Sequence, residues 1–265
     1  MSCDARSFEV YSPASYRGSW GCDATAGAEP ALTAADDAAP DGSAIGFARI
    51  NGLQLPGAGA DIGGGAGAVT VSASIKLADG SDSASCGYRT GGLIVGMASK
   101  PGTASSNFRD QFDGYSVTVT PPGCTGNQAR VTIQRHDAGA GGAGVPPSNQ
   151  PMASGALGDA VSTAGWFQLL VTINATHIAA ATVDGGGSSV PLLAARLLAG
   201  KPVGCGASAV VEREPWEPEP WESDQLDACG VGVYQHRVAA SWRGFAVHAQ
   251  SARGPGEQIY LDEQP

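Results

Sequence analysis

The chain has 265 residues, among them 39 Gly and 17 Pro, and its 25 Asp and Glu outnumber its 15 Lys and Arg. A formal charge of −10 argues against nucleic acid, whose phosphates need clustered cations, and against anionic membrane surfaces. No apolar run approaches the roughly 18 residues that a membrane-spanning helix needs, so no membrane insertion is expected, and the Gly and Pro content points to turns rather than long helices.

The opening MSCDARSFEVYSP lacks the apolar core of a secretion signal. Met1 is then either an initiator on a processed segment or the start of a cytosolic protein. Strand patterns follow along most of the chain. SAIGFARI (43–50) and AVTVSASIKL (68–77) alternate apolar with small or polar residues, and GGLIVGM (91–97) is a short apolar run suited to a central strand. GYSVTVT (114–120) and ARVTIQRH (129–136) flank the turn-forming cluster PPGCTGNQ and read as a hairpin. WFQLLVTIN (166–174) and HIAAATVDGG (177–186) read as a second hairpin around Ala175-Thr176, and GVGVYQHRV (230–238) and WRGFAVHAQ (242–250) close the series. PLLAARLLAG (191–200) alone looks helical. DAGAGGAGVPPSNQP (137–151) reads as a loop, and residues 251–265 as a tail or linker after one domain over 1–250. Hairpins in this number imply an all-β fold, an antiparallel two-sheet β-sandwich.

Six cysteines form three sequence-adjacent couples, with neither CxxC nor a His at zinc-ligand spacing. If residues 93–97 pair centre to centre with 115–119, Val95 faces Val117 and Cys86 and Cys124 lie near one end of that strand pair. A Cys86–Cys124 bridge is then geometrically reasonable. Cys205 and Cys229 bracket a Trp-rich segment, and closing a loop of that length stabilises by ~3 kcal/mol on the chain-entropy model. Cys3–Cys22 follows by elimination. Free buried thiols are the alternative. The bridges, together with the glycosylation sequon at Asn174, favour an extracellular or cell-surface protein.

The succession GGLIVGM, DGYSVTVTPPG, ARVTIQRHD, GWFQLLVTINATHIAAATVDGG and GVGVYQHRVAASWRGFAVHA resembles the concanavalin A-like lectin/glucanase jelly roll, which includes laminin G-like modules. Gly114-Tyr115, Trp166, Asp184-Gly185, Gly230 to Gly232 and Phe245 hold the places of its structural motifs, and the resemblance covers roughly residues 43–250. It implies core roles for Trp166 and Phe245. The enzymes of that superfamily carry an E-x-D-x-x-E strand whose carboxylates act as nucleophile and acid, and the sequence has no such strand. The glutamates between 212 and 222 are interrupted by Pro215, Pro218 and Pro220, which cannot sit in a central strand. The resemblance also implies calcium, for which Asp36, Asp37, Asp41, Asp79 and Asp82 are the loop carboxylates of the right type. Against it, the closing strand reads Trp242-Arg243-Gly244-Phe245, without the acidic or amide residue that many calcium-binding relatives place there. Asx-turns account equally well for these aspartates.

Sugar recognition asks for a flat aromatic face under the pyranose C–H groups and planar polar side chains for its hydroxyls. Three groups qualify: Tyr88 with Arg89, Arg109 and Gln111 with Asp113, and Tyr234 with His236. The last pair alternates with Val231 and Val233, so it faces out if the valines face in. Trp216 and Trp221, in EPWEPEPWES, are five residues apart in a proline-stiffened segment. On a three-residue-per-turn helix they project about 120° apart, which disfavours a shared platform and favours one of them anchoring the loop. The expectation is a non-catalytic carbohydrate-binding or adhesion module, with carbohydrate or protein on a cell surface or matrix as partner. A glycan-active enzyme of the same fold and a structural module of a larger surface assembly are the alternatives.

Overall fold

Strong period-two alternation produces strands throughout. In the segments FQLLVTI and HIAAATV every second residue is buried and its neighbours are half-buried or exposed. The computed structural model describes residues 8–11, 20–24, 29–35, 45–54, 68–78, 89–99, 112–122, 129–136, 151–157, 165–174, 177–196 and 230–250. They form β1 (Phe8–Tyr11), β2 (Trp20–Asp23), β3 (Ala31–Ala34), β4 (Ile45–Gln54), β5 (Ala68–Leu77), β6 (Thr90–Ser99) and β7 (Phe112–Thr120). After these come β8 (Arg130–His136), β9 (Pro151–Ala156), β10 (Phe167–Ile173), β11 (His177–Val183), β12 (Ser189–Arg196), β13 (Gly230–His236) and β14 (Ala240–Gln250).

Two seven-stranded antiparallel sheets result. The first runs β1-β4-β13-β6-β7-β8-β9 and the second β12-β11-β10-β5-β14-β3-β2. Sequential hairpins build β6 to β9 in the first sheet and β10 to β12 in the second, while β4, β5 and β6 alternate between sheets. This is the expected all-β sandwich. The inward residues of both sheets interdigitate: Val71, Ala73 and Ile75 of β5, Leu93 and Val95 of β6, Val117 of β7, Ile133 of β8, Leu169 of β10 and Val233 of β13 are all solvent-excluded. Each large side chain of this kind contributes about 1.5–3 kcal/mol by burial. Trp20 of β2 stacks on Trp242 of β14 with ring centroids 5.8 Å apart, and Phe8 of β1 leans on Trp20 at 6.5 Å, so aromatic rings join both sheet edges near the N-terminus to the core.

Three expectations change. Of the segment read as helical, residues 197–200 lie outside the described residues, and residues 191–196 belong to β12, paired antiparallel to β11. The cause is the turn before it: Asp184 Oδ1 accepts the N–H groups of Gly186 (2.9 Å) and Ser188 (2.8 Å), and Gly187 adopts φ +83°. That turn sends the chain straight back along β11, where its backbone groups find ladder partners. Leu192 and Leu193 then pack, half-buried, against the core. A short apolar run carries no periodicity that separates helix from strand. The β6–β7 register also differs, with Leu93 opposite Val117 and Val95 opposite Tyr115. A bulge between Val95 and Ala98, with Gly96 at φ +64°, then shifts the pairing by one residue, to Ala98 opposite Asp113. Thirdly, Pro151, expected to end a loop, begins β9.

Candidate functional site

Most of the expected site residues lie outside the described residues: Tyr88, Arg109, the aspartates 36, 37, 41, 79 and 82, Trp216, Trp221, and all cysteines but Cys22. Cys22 is disulfide-bonded, and its partner lies outside the described residues. Asp113 occupies a place in β7 opposite Ala98; its side chain is likewise not described. Among the described residues, no three His, Cys, Asp or Glu side chains gather as metal ligands. Asn174 sits at the end of β10, where its N–H donates to the carbonyl of His177 (3.0 Å) and its Oδ1 accepts the N–H of His177 (2.8 Å).

Tyr234 and His236 do alternate with the inward-facing Val231 and Val233. Tyr234 is nevertheless only 6% exposed. Its ring lies 6.3 Å from that of His136, which forms a 2.7 Å hydrogen bond through Nε2 with the hydroxyl of Ser116. Ile94, Met97, Ser116, Thr118, His136 and Tyr234 are all buried without belonging to the inter-sheet cluster. The outward face of the first sheet's central strands is therefore a second buried layer, and Tyr234 offers no open ring there. Burial holds the His136 imidazole neutral, with its pKa lowered to about 3, and burial with the Arg237 charge lowers that of His236 to about 4. Arg89, just before β6, is also buried, and its Nε has no hydrogen-bond partner among the described residues.

A partly exposed indole lies elsewhere. Phe167, Ile75 and Trp242 lie side by side on β10, β5 and β14 and point into the core. Period-two alternation therefore sends their neighbours Trp166, Ser74 and Arg243 to the outer face of the second sheet. Trp166 is 37% exposed, the sole large apolar side chain so placed among the described residues. It is not the core residue that the resemblance implies, because the inward position is taken by the next residue, Phe167. The Arg243 guanidinium lies over its ring, 4.1 Å from the centroid, and Arg243 Nε is 3.9 Å from a carboxylate oxygen of Glu29. A bulge between Arg243 and Ala246 bends the strand at this point, with Gly244 at φ +62°. A methyl group at Gly244 would meet only the Glu29 carboxylate (3.5 and 3.8 Å) and the Ser74 hydroxyl (4.0 Å). The exposed Gly244 backbone thus lies against the Glu29 carboxylate and the Ser74 hydroxyl. The cation–π contact is worth about 0.5–1 kcal/mol at such an exposed place and the ion pair no more than about that, so both can yield to a ligand. Next to the patch a shallow open depression of about 330 Å³ is lined by Thr33, Ala35, Lys76, Ala78, Ala239 and Ser241, among others.

No family model matches the chain, and no curated protein matches it. Solved structures similar to it include a carbohydrate-binding module, CBM66, from Bacillus subtilis, at 9% identity and TM-score 0.47, covering 91% of this chain and 94% of that one. Lectin II from Ulex europaeus is similar at 11% identity and TM-score 0.47, covering 92% and 93% of the two chains. The exoplasmic/lumenal domain of VIP36, in a form bound to Ca2+ and Man3GlcNAc, is similar at 8% identity and TM-score 0.49, covering 99% and 88%. At these identities and TM-scores the likeness is one of overall fold alone.

Proposed function

We propose that this chain is a non-catalytic carbohydrate-binding module of an extracellular or cell-surface protein, and that it takes sugar on the outer face of its second sheet. One observation carries the reading: a partly exposed indole, Trp166, lies under a guanidinium and on the same face as a carboxylate and a hydroxyl. The C–H face of a pyranose packs on the exposed part of the ring. Glu29 accepts from sugar hydroxyls, and Arg243 and Ser74 donate to them. The strands fix Trp166, Ser74 and Arg243 before any ligand arrives, which keeps the ordering cost of binding low.

Two further features support the finer parts of the reading. Glu29 is the sole carboxylate of the patch among the described residues, whereas glycoside hydrolysis by the usual route needs a pair. A disulfide at Cys22 fits an oxidising compartment. The contacts proposed here, all from side chains, call on no metal ion, so chelation should leave binding intact.

The test is affinity electrophoresis and calorimetry against a panel of polysaccharides, with and without EDTA. Binding that survives EDTA, and that Trp166→Ala weakens by at least about tenfold while the circular dichroism spectrum is unchanged, is the expected result. Binding indifferent to Trp166→Ala, or release of shortened sugars, contradicts the reading.

A further inference from the structure

The carbohydrate reading leaves a cation beside the Trp166 patch, Lys76, unused. Lys76 of β5 pairs with Ser241 of β14, which pairs with Thr33 of β3. Because Phe167 lies opposite Ile75, Trp166 comes alongside Lys76 on the outer face. Lys76 is exposed, lines the 330 Å³ depression, and makes no hydrogen bond or ion pair among the described residues. Arg243, whose guanidinium lies over the indole, has Glu29 as its counter-ion. Among the described residues, the cation of this patch without a counter-ion is therefore Lys76, which lines the depression.

We propose that the sugar taken at Trp166 is an acidic one, whose carboxylate or sulfate pairs with the Lys76 ammonium in that depression while the ring packs on the indole. The inference rests on the carbohydrate reading. The charge of −10 spread over the chain does not oppose it strongly: charges farther away than about 10 Å are largely screened at 0.1 M salt, and the cations beside the ligand set its preference. Thr33 and Ser241 add hydroxyls to the same depression that can donate to the anionic group. Neutral sugars keep the stacking and the Glu29 contacts and lose this one interaction.

The experiment compares three classes of polysaccharide at low and high salt: neutral (dextran, laminarin), carboxylated (polygalacturonate, alginate) and sulfated (dextran sulfate). Wild type, Lys76→Gln and Trp166→Ala are measured in parallel. Lys76 is exposed, so Lys76→Gln leaves the fold intact, which a matching melting temperature checks. The expected result is a preference of up to about tenfold for at least one acidic class over the neutral class. Salt and Lys76→Gln should each erase that preference while neutral binding stays unchanged, and the two acidic arms show which anion is read. A wild type that binds neutral sugars as well as acidic ones, a preference that survives Lys76→Gln, or acidic binding that survives Trp166→Ala overturns the inference. Neutral-only binding overturns it and leaves the carbohydrate reading standing. Binding to no class overturns both.

Discussion

The indole Nε1–H of Trp242 donates a 3.1 Å hydrogen bond to the carbonyl oxygen of Gly92, joining β14 of one sheet to β6 of the other through the middle of the core. Trp242 is solvent-excluded, so neither group can turn to water instead. Trp242→Phe keeps most of the apolar contact but removes this hydrogen bond between the sheets. It should cost about 1–3 kcal/mol, read as a lower urea midpoint with an unchanged slope. Trp242→Ala should cost about 3–5 kcal/mol.

Gly92 is constrained on its other side as well. A Cβ there would collide with the Val117 carbonyl oxygen and come 2.7 Å from the Thr118 Cα, both backbone atoms of the neighbouring strand β7. Backbone of a central strand cannot step aside as a flexible side chain can. Gly92→Ala should therefore destabilise by about 1–3 kcal/mol. At Gly185, in the β11–β12 turn, a methyl group would meet nothing within 4 Å. Gly185→Ala should change stability by no more than about 0.5 kcal/mol, which makes it the matched control in the same urea titration.

Acid should loosen the fold through two histidines. The folded-state pKa values of His136 and His236 lie at about 3 and about 4, below the ordinary 6.5. The unfolded chain therefore takes up protons first as pH falls, and the stability present above pH 6.5 is lost between there and roughly pH 3–4. Each histidine contributes a slope of up to about 1.4 kcal/mol per pH unit in that window. Unfolding free energies measured between pH 4 and 8 should show this decline, and His136→Gln should make it shallower. An equal slope in the variant would remove His136 from the account.

How far these features could be read from the chain depends on the kind of signal. AVTVSASIKL is β5 to the residue, because ten alternating positions leave one face for the core. The four-residue strands β1, β2 and β3 are too short to show a period and owe their existence to pairing with β4 and with each other. Leu192 and Leu193 suggested a helix because nothing in that run states that a side-chain-capped turn has already set the direction. Trp166 was the harder case. The sequence placed it correctly at the head of a strand, but whether that position faced in or out depended on Phe167 sharing a row with Ile75 and Trp242. Its partners Arg243 and Glu29 are 214 positions apart in sequence, and no local pattern announces such a meeting. Tyr234 failed as an open platform for the converse reason: parity put it on the outward face, and burial of that face depends on tertiary packing.

Where the ligand sits can be measured residue by residue. An 1H–15N correlation spectrum of the labelled chain, titrated with the tightest-binding polysaccharide fragment, reports on the indole Nε1–H groups, the arginine Nε–H groups and the backbone amides. Ligand on the outer face of the second sheet should shift the Trp166 indole, Arg243 Nε–H and the amides of Ser74 and Gly244, and leave the amides of Ser116, His136 and Tyr234 in place. Shifts gathered around Tyr234 and His136, with Trp166 and Arg243 unmoved, would contradict that placement.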